Sequence, residues 1–171
     1  AGESPADLAE AFVSGGWKAD AAALSALSAV DSASDRQVVE GVMAALYRPW
    51  ADACARRFQE AAVTRGTDGF GAQPSAPQPG ECVLFTDGLR FDLGARLREL
   101  LSERDLEAEL GWQLAALPSL TATAKPAVSP AASRLAGGDD FDTVVAESGQ
   151  AVTADVLRRE IASCGVTVVA N

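Results

Sequence analysis

Two stretches of the sequence carry residue types that can do chemistry. The first is Cys82-Val83-Leu84-Phe85-Thr86-Asp87-Gly88-Leu89-Arg90-Phe91-Asp92. A short apolar run ends abruptly in a carboxylate and a glycine, and an amphipathic segment follows at once. That pattern predicts a buried parallel strand delivering Asp87 to the carboxyl edge of a sheet, where open α/β sheets bind their ligands. The second stretch is Ala116-Leu117-Pro118-Ser119-Leu120-Thr121-Ala122-Thr123-Ala124-Lys125-Pro126, rich in hydroxyls and closed by a lysine. The two act together only if they meet in space. The chain contains no histidine. This excludes a Ser-His-Asp or Cys-His triad within these residues. Any metal would rest on carboxylates, hydroxyls or groups supplied from elsewhere. The two common phosphate loops, G-x-x-x-x-G-K-[ST] and G-x-G-x-x-G, do not occur.

The elements that must position these groups are read from periodicity and breakers. Residues 1–64 read as helical. Leu8 and Phe12 share a face, and Gly15-Gly16 is expected to stop that helix. Trp17, Leu24 and Leu27 mark a second helix, and Ser34 or Asp35 is expected to cap a third. That third helix runs from about Arg36 to Ala62, with Val38, Val42, Met43, Leu46 and Tyr47 at 3–4 spacing and a kink at Pro49. Trp50, Cys54 and Phe58 extend an apolar stripe expected to be core. Residues 65–80 are a Gly- and Pro-rich linker, extended through Gln73–Gly80. Strands are expected at Val83–Thr86, Glu107–Leu110 and Val166–Val169. Leu89, Leu93, Leu97, Leu100 and Leu101 are the expected buried face of the helix after Asp87. A helix can start at Pro126. Phe141–Ala146 reads as a short edge strand, and a helix from Thr153 or Ala154 to about Ser163 has Val156, Leu157 and Ile161 inward. Plainer roles exist for the chemical residues. Asp87 can cap the helix near Leu89, Thr121 and Thr123 can be turn hydroxyls, Lys125 a solvated charge, and Arg90 with Asp92 a local ion pair.

Composition bounds the rest. The 171 residues suffice for one domain, with 48% hydrophobic and 22% charged residues. A net charge of −10 argues against a nucleic-acid surface spread over the chain. The three cysteines, Cys54, Cys82 and Cys164, show neither a disulfide framework nor zinc-ligand spacing. They are expected to be reduced core residues of a cytoplasmic protein. No membrane span and no signal peptide is read.

Taken together, Leu84–Asp92 and Leu117–Pro126 resemble the PglZ domain of bacterial phage-defence systems of the Pgl/BREX kind, within the alkaline phosphatase-like superfamily. The resemblance covers about residues 80–171. It implies a partial alkaline phosphatase-like α/β fold over 81–171, a parallel sheet flanked by helices, truncated at its C-terminal end and preceded by a helical part over 1–64. It implies metal-dependent phosphohydrolase or phosphodiesterase chemistry with two divalent zinc or manganese ions. By the match, Asp87 is a metal ligand and Thr121 both metal ligand and nucleophile, with Thr123 the rival. Lys125 would bind a phosphoryl oxygen. The remaining Asp and His ligands would lie further along than Asn171, so these residues alone are expected to be inactive. Implied partners are other defence subunits and a phosphate-containing substrate, with nucleic acid among its candidates. The competing expectation is a non-catalytic scaffold or interaction module.

Overall fold

The computed structural model describes residues 3–71 and 77–169. The expected loop residues Gln73–Ala76 and the terminal Asn171 lie outside them. Contacts divide the chain into two compact units: Ala1–Asp68 with Leu89–Trp112, and Gly69–Gly88 with Gln113–Asn171.

The first unit is helical. Helix α1 (Pro5–Ala11) starts at a Ser4 capping box and runs into a π-helical turn, Phe12–Gly16. The expected stop at Gly15-Gly16 does not occur, and the chain continues directly into α2 (Trp17–Ser28). Gly16 serves close packing instead, since a Cβ there would come within 3.1 Å of the Phe12 ring. Helix α3 (Ala33–Val42) is capped by Ser32, whose Oγ accepts from the Asp35 N–H at 3.1 Å, rather than by Ser34 or Asp35. A second π-helical turn, Met43–Tyr47, leads into α4 (Arg48–Arg65). Pro49 lies just past that turn, where the Arg48 N–H reaches back five residues to the Met43 carbonyl and the continuous helix returns to α-helical bonding, so the proline neither ends nor divides it. Helix α5 (Phe91–Ser102) packs against α2. Phe91 meets Phe12 and Trp17 edge-on, at 6.4 and 6.1 Å between ring centroids. The α5 face differs from the expected leucine stripe: Asp92 and Ala95 are buried, while Leu93 and Leu97 are exposed.

The second unit holds α6 (Thr121–Ala127), a 3-10 turn Ala132–Arg134, β1 (Leu135–Gly137), β2 (Thr143–Val145) and α7 (Ala154–Ser163). Strands β1 and β2 form a two-stranded antiparallel sheet with Ala136 opposite Val144. The expected edge strand within Phe141–Ala146 is therefore present as β2. Helix α7 begins at a Thr153 cap, buries Val156 and Leu157, and gives way to Gly165 at φ +78°. Arg134 ties the 3-10 turn to α7 through a 2.8 Å ion pair with the buried Glu160.

The expected parallel, alkaline phosphatase-like sheet is not formed. Among the described residues, Val83–Thr86, Glu107–Leu110 and Val166–Val169 are not strands, and the only sheet is the β1–β2 pair. Residues 82–86 make no backbone hydrogen bond among the described residues, and Leu84 is 84% exposed. A parallel strand is stable only with both faces covered, and among the described residues Val83, Leu84 and Phe85 all stay exposed. The alkaline phosphatase-like fold is thereby overturned. Cys54 and Cys82 are exposed and Cys164 is only half-buried, so the expectation of three core cysteines fails. Among the described residues, no helix is long and apolar enough to cross a membrane.

Candidate functional site

Helix α6 presents two opposed faces. Successive residues advance by about 100° around an α-helix, so Thr121 and Lys125, four apart, lie one above the other. Thr123, Pro126 and Ala127 fall on the opposite side. That inner side borders a cavity of about 230 Å³, completed by Leu135, Ala136 and Thr143 among others. Thr121 and Lys125 are exposed.

The two threonines are therefore not equivalent. The Thr123 hydroxyl donates to the Pro118 carbonyl and lies 3.1 Å from the Leu120 carbonyl. It also accepts from the Leu120 N–H at 3.3 Å. It is the reach-back group that closes the first turn of the helix. The Thr121 hydroxyl makes no hydrogen bond among the described residues. Thr121 is the hydroxyl left open to solvent, and Thr123 is a fastening.

Pro126 sits inside α6, not at its start as expected. It has no N–H to give the Ala122 carbonyl four residues back. Thr143 Oγ1 supplies the missing donor at 2.8 Å, which fixes α6 to β2 and lets the helix run through its proline.

Asp87 and Gly88 form a turn, with Gly88 at φ +70°, a conformation that glycine adopts without strain. Asp87 is exposed. The cap position of α5 falls on Arg90 and carries no side-chain cap, so Asp87 is not spent as a cap. Phe85, two residues earlier, meets the second stretch: Lys125 Nζ lies 5.3 Å from the centre of its ring. Two residues of extended chain span at most about 7 Å. The acid, the open hydroxyl and the cation thus belong to one compact unit, with the first and second stretches in direct contact. Sequence reasoning missed the role of Phe85, because nothing in spacing links it to a lysine 40 residues on.

The last acid of the first stretch is used differently. Asp92 has a side chain 2% exposed, and Arg90 binds both of its oxygens, Nε to Oδ1 at 2.9 Å and Nη2 to Oδ2 at 3.2 Å. Arg90 also lies 3.5 Å from Asp20, which accepts from the Tyr47 hydroxyl at 2.8 Å. Hydrogen bonding to Asp92 pushes the Arg90 guanidinium up from its ordinary value. The bond to Asp20 raises the Tyr47 hydroxyl. This network is structural, as the ion-pair reading of Arg90 and Asp92 expects.

A dinuclear metal centre takes three or four protein groups for a single ion of the zinc type alone. Asp87 and Thr121 supply one carboxylate and one neutral hydroxyl. Among the described residues, no group of three or more His, Cys, Asp or Glu could hold an ion. The residues present do not fit a two-metal group by themselves. No protein-family model, curated protein or solved structure matches the chain.

Proposed function

We propose that the chain is a segment of a PglZ-type phosphohydrolase or phosphodiesterase of bacterial phage defence, inactive by itself. Asp87 is its contribution to a divalent metal site, Thr121 its nucleophile and Lys125 its phosphoryl-binding cation. The observation that carries the reading is the Phe85–Lys125 contact. It joins the two stretches that bear the family resemblance, Leu84–Asp92 and Leu117–Pro126, which lie apart in the sequence. The division of labour between Thr121 and Thr123 supports the choice of nucleophile. Further donors, Asp and His by the resemblance, come from outside the described residues, as do the partner subunits. The substrate carries a phosphate ester, with nucleic acid among its candidates. The three unbridged cysteines fit the reducing bacterial cytoplasm.

The test compares this chain with a version extended to include those further donors. Zinc or manganese titrated into this chain should bind weakly, with no hydrolysis of bis(p-nitrophenyl) phosphate. The extended protein should bind metal tightly and turn over, and Asp87→Ala should remove both properties. Equal weakness in the extended protein sinks the enzyme reading.

A second reading, a non-catalytic interaction module of a defence complex, is favoured by one observation. Val38, Val42 and Leu46 form an exposed apolar row at i, i+4, i+8 along α3 and the π-helical turn after it. Loss of defence-complex assembly on Leu46→Glu, with hydrolysis absent in every version, would select it.

A further inference from the structure

We propose that Phe85 is the positioning residue for Lys125, its ring holding the ammonium on the Thr121 face of α6; this rests on the phosphoryl-binding role proposed above. Lysine is a flexible, strongly hydrated point charge that an exposed surface leaves spread over many rotamers. Here the ammonium lies 5.3 Å from the ring centre, inside the roughly 6 Å at which an aromatic face attracts a cation. No carboxylate among the described residues competes for it. The ring belongs to the segment that turns at Asp87, and the ammonium to the helix that bears Thr121. One contact therefore sets the cation relative to both proposed reacting groups. Phe85 remains 44% exposed, so the contact is open to an incoming anion, which can take the ammonium without burying it. The ring touches neither substrate nor reacting atoms and acts through Lys125.

The chain has two lysines, Lys18 and Lys125, so lysine-selective labelling yields one reporter and one internal control. In nuclear magnetic resonance of the whole chain, the Lys125 ε-methylene protons should be shifted upfield by the ring, and those of Lys18 should not. Phe85→Leu, which keeps the apolar bulk, should abolish the shift. Phe85→Trp, which presents a stronger face, should keep or enlarge it. In a parallel titration, inorganic phosphate should perturb Lys125, and Phe85→Leu should weaken that response about two- to fivefold. Phe85→Trp should preserve it, which a purely space-filling role does not explain. A Lys125 shift unchanged in Phe85→Leu, or lost equally in both variants, overturns the contact. A lost shift with unweakened phosphate binding overturns the positioning role. If phosphate perturbs Lys125 in no version while the ring shift behaves as stated, the contact stands and the phosphoryl reading falls.

Discussion

Asp87 and Asp92 stand five residues apart in one stretch, yet the structure uses them in opposite ways. Asp92 is buried, and its carboxylate is bound at both oxygens by Arg90, which Asp20 and Tyr47 in turn support. Asp87 rides an exposed turn with no such brace. Removing a carboxylate from water is expensive and has to be compensated by a partner with good geometry. An exposed carboxylate keeps its water and stays available to a ligand. Thr123 and Thr121 repeat the contrast two residues apart, one hydroxyl committed to the backbone and one open. Committed groups hold each unit together, and uncommitted groups are where chemistry has room.

The largest break in that contrast is Arg90→Ala. It strands the Asp92 carboxylate in the interior and should cost about 3 kcal/mol in urea unfolding. Asp87→Asn should stay within about 0.5 kcal/mol, as exposed substitutions usually do. Equal effects would mean that Asp92 is not sealed from water.

Tyr47→Phe comes next, at about 1 kcal/mol for the lost bond to a charged acceptor. It also has a pH signature. The hydroxyl is raised in the folded protein because it donates to Asp20. The folded state therefore holds this proton more tightly than the unfolded chain. The contribution is complete below the ordinary tyrosine value of about 10 and is lost as pH rises through the raised value. Melting temperatures measured upward from pH 9 should fall more steeply for the parent than for Tyr47→Phe.

Thr123→Ala should cost about 1 kcal/mol, the usual worth of a helix-start group. Thr121→Ala should cost almost nothing in stability and, in the extended protein, all of the turnover. The reverse pattern would make Thr123 the nucleophile.

The smallest effect sharpens the account of α6. Thr143→Val removes the donor that Pro126 lacks and should cost roughly 0.5–1 kcal/mol. In a Pro126→Ala background the backbone N–H is restored, and the same substitution should cost measurably less. A thermal-melt double-mutant cycle reads that coupling directly.

The elements most legible in the sequence were those fixed by local chemistry. Thr153, the Val156–Leu157 pair and Gly165 bound α7 as their types require. The Asp87-Gly88 turn follows from a glycine free to take φ +70°. The three strands expected of a parallel sheet were not legible, although β2 was, because a run such as Cys82–Thr86 reads alike whether a sheet covers it or solvent does; periodicity carries no information about what lies on either side. Helix facing failed for a related reason. Val38, Val42 and Leu46 share 4-spacing with Val39, Met43 and Tyr47, and the structure half-buries the second row while exposing the first. On α5, Phe91 found the Phe12 and Trp17 rings, and that aromatic contact set the helix rotation against its leucines. Of the candidate site, the sequence carries the residue types and none of the contacts. The partnership of Phe85 with Lys125 depends on chain reversal over nearly 40 residues and left no local trace.

The bare segment from Cys82 to Thr86 carries a hazard of its own. Val83-Leu84-Phe85 is apolar and exposed, with backbone groups unclaimed by the rest of the described chain. Such segments recruit copies of themselves into stacked, cross-β assemblies. Glu81 and Asp87 bracket this one, and like charges stacked in register repel, so the two acids act as gatekeepers. Asp87 thus guards solubility, apart from the metal-ligand role proposed for it. Asp87→Ala should raise light scattering and thioflavin fluorescence in concentrated samples. A loss of function in Asp87→Ala counts as chemistry only in the fraction that remains monomeric.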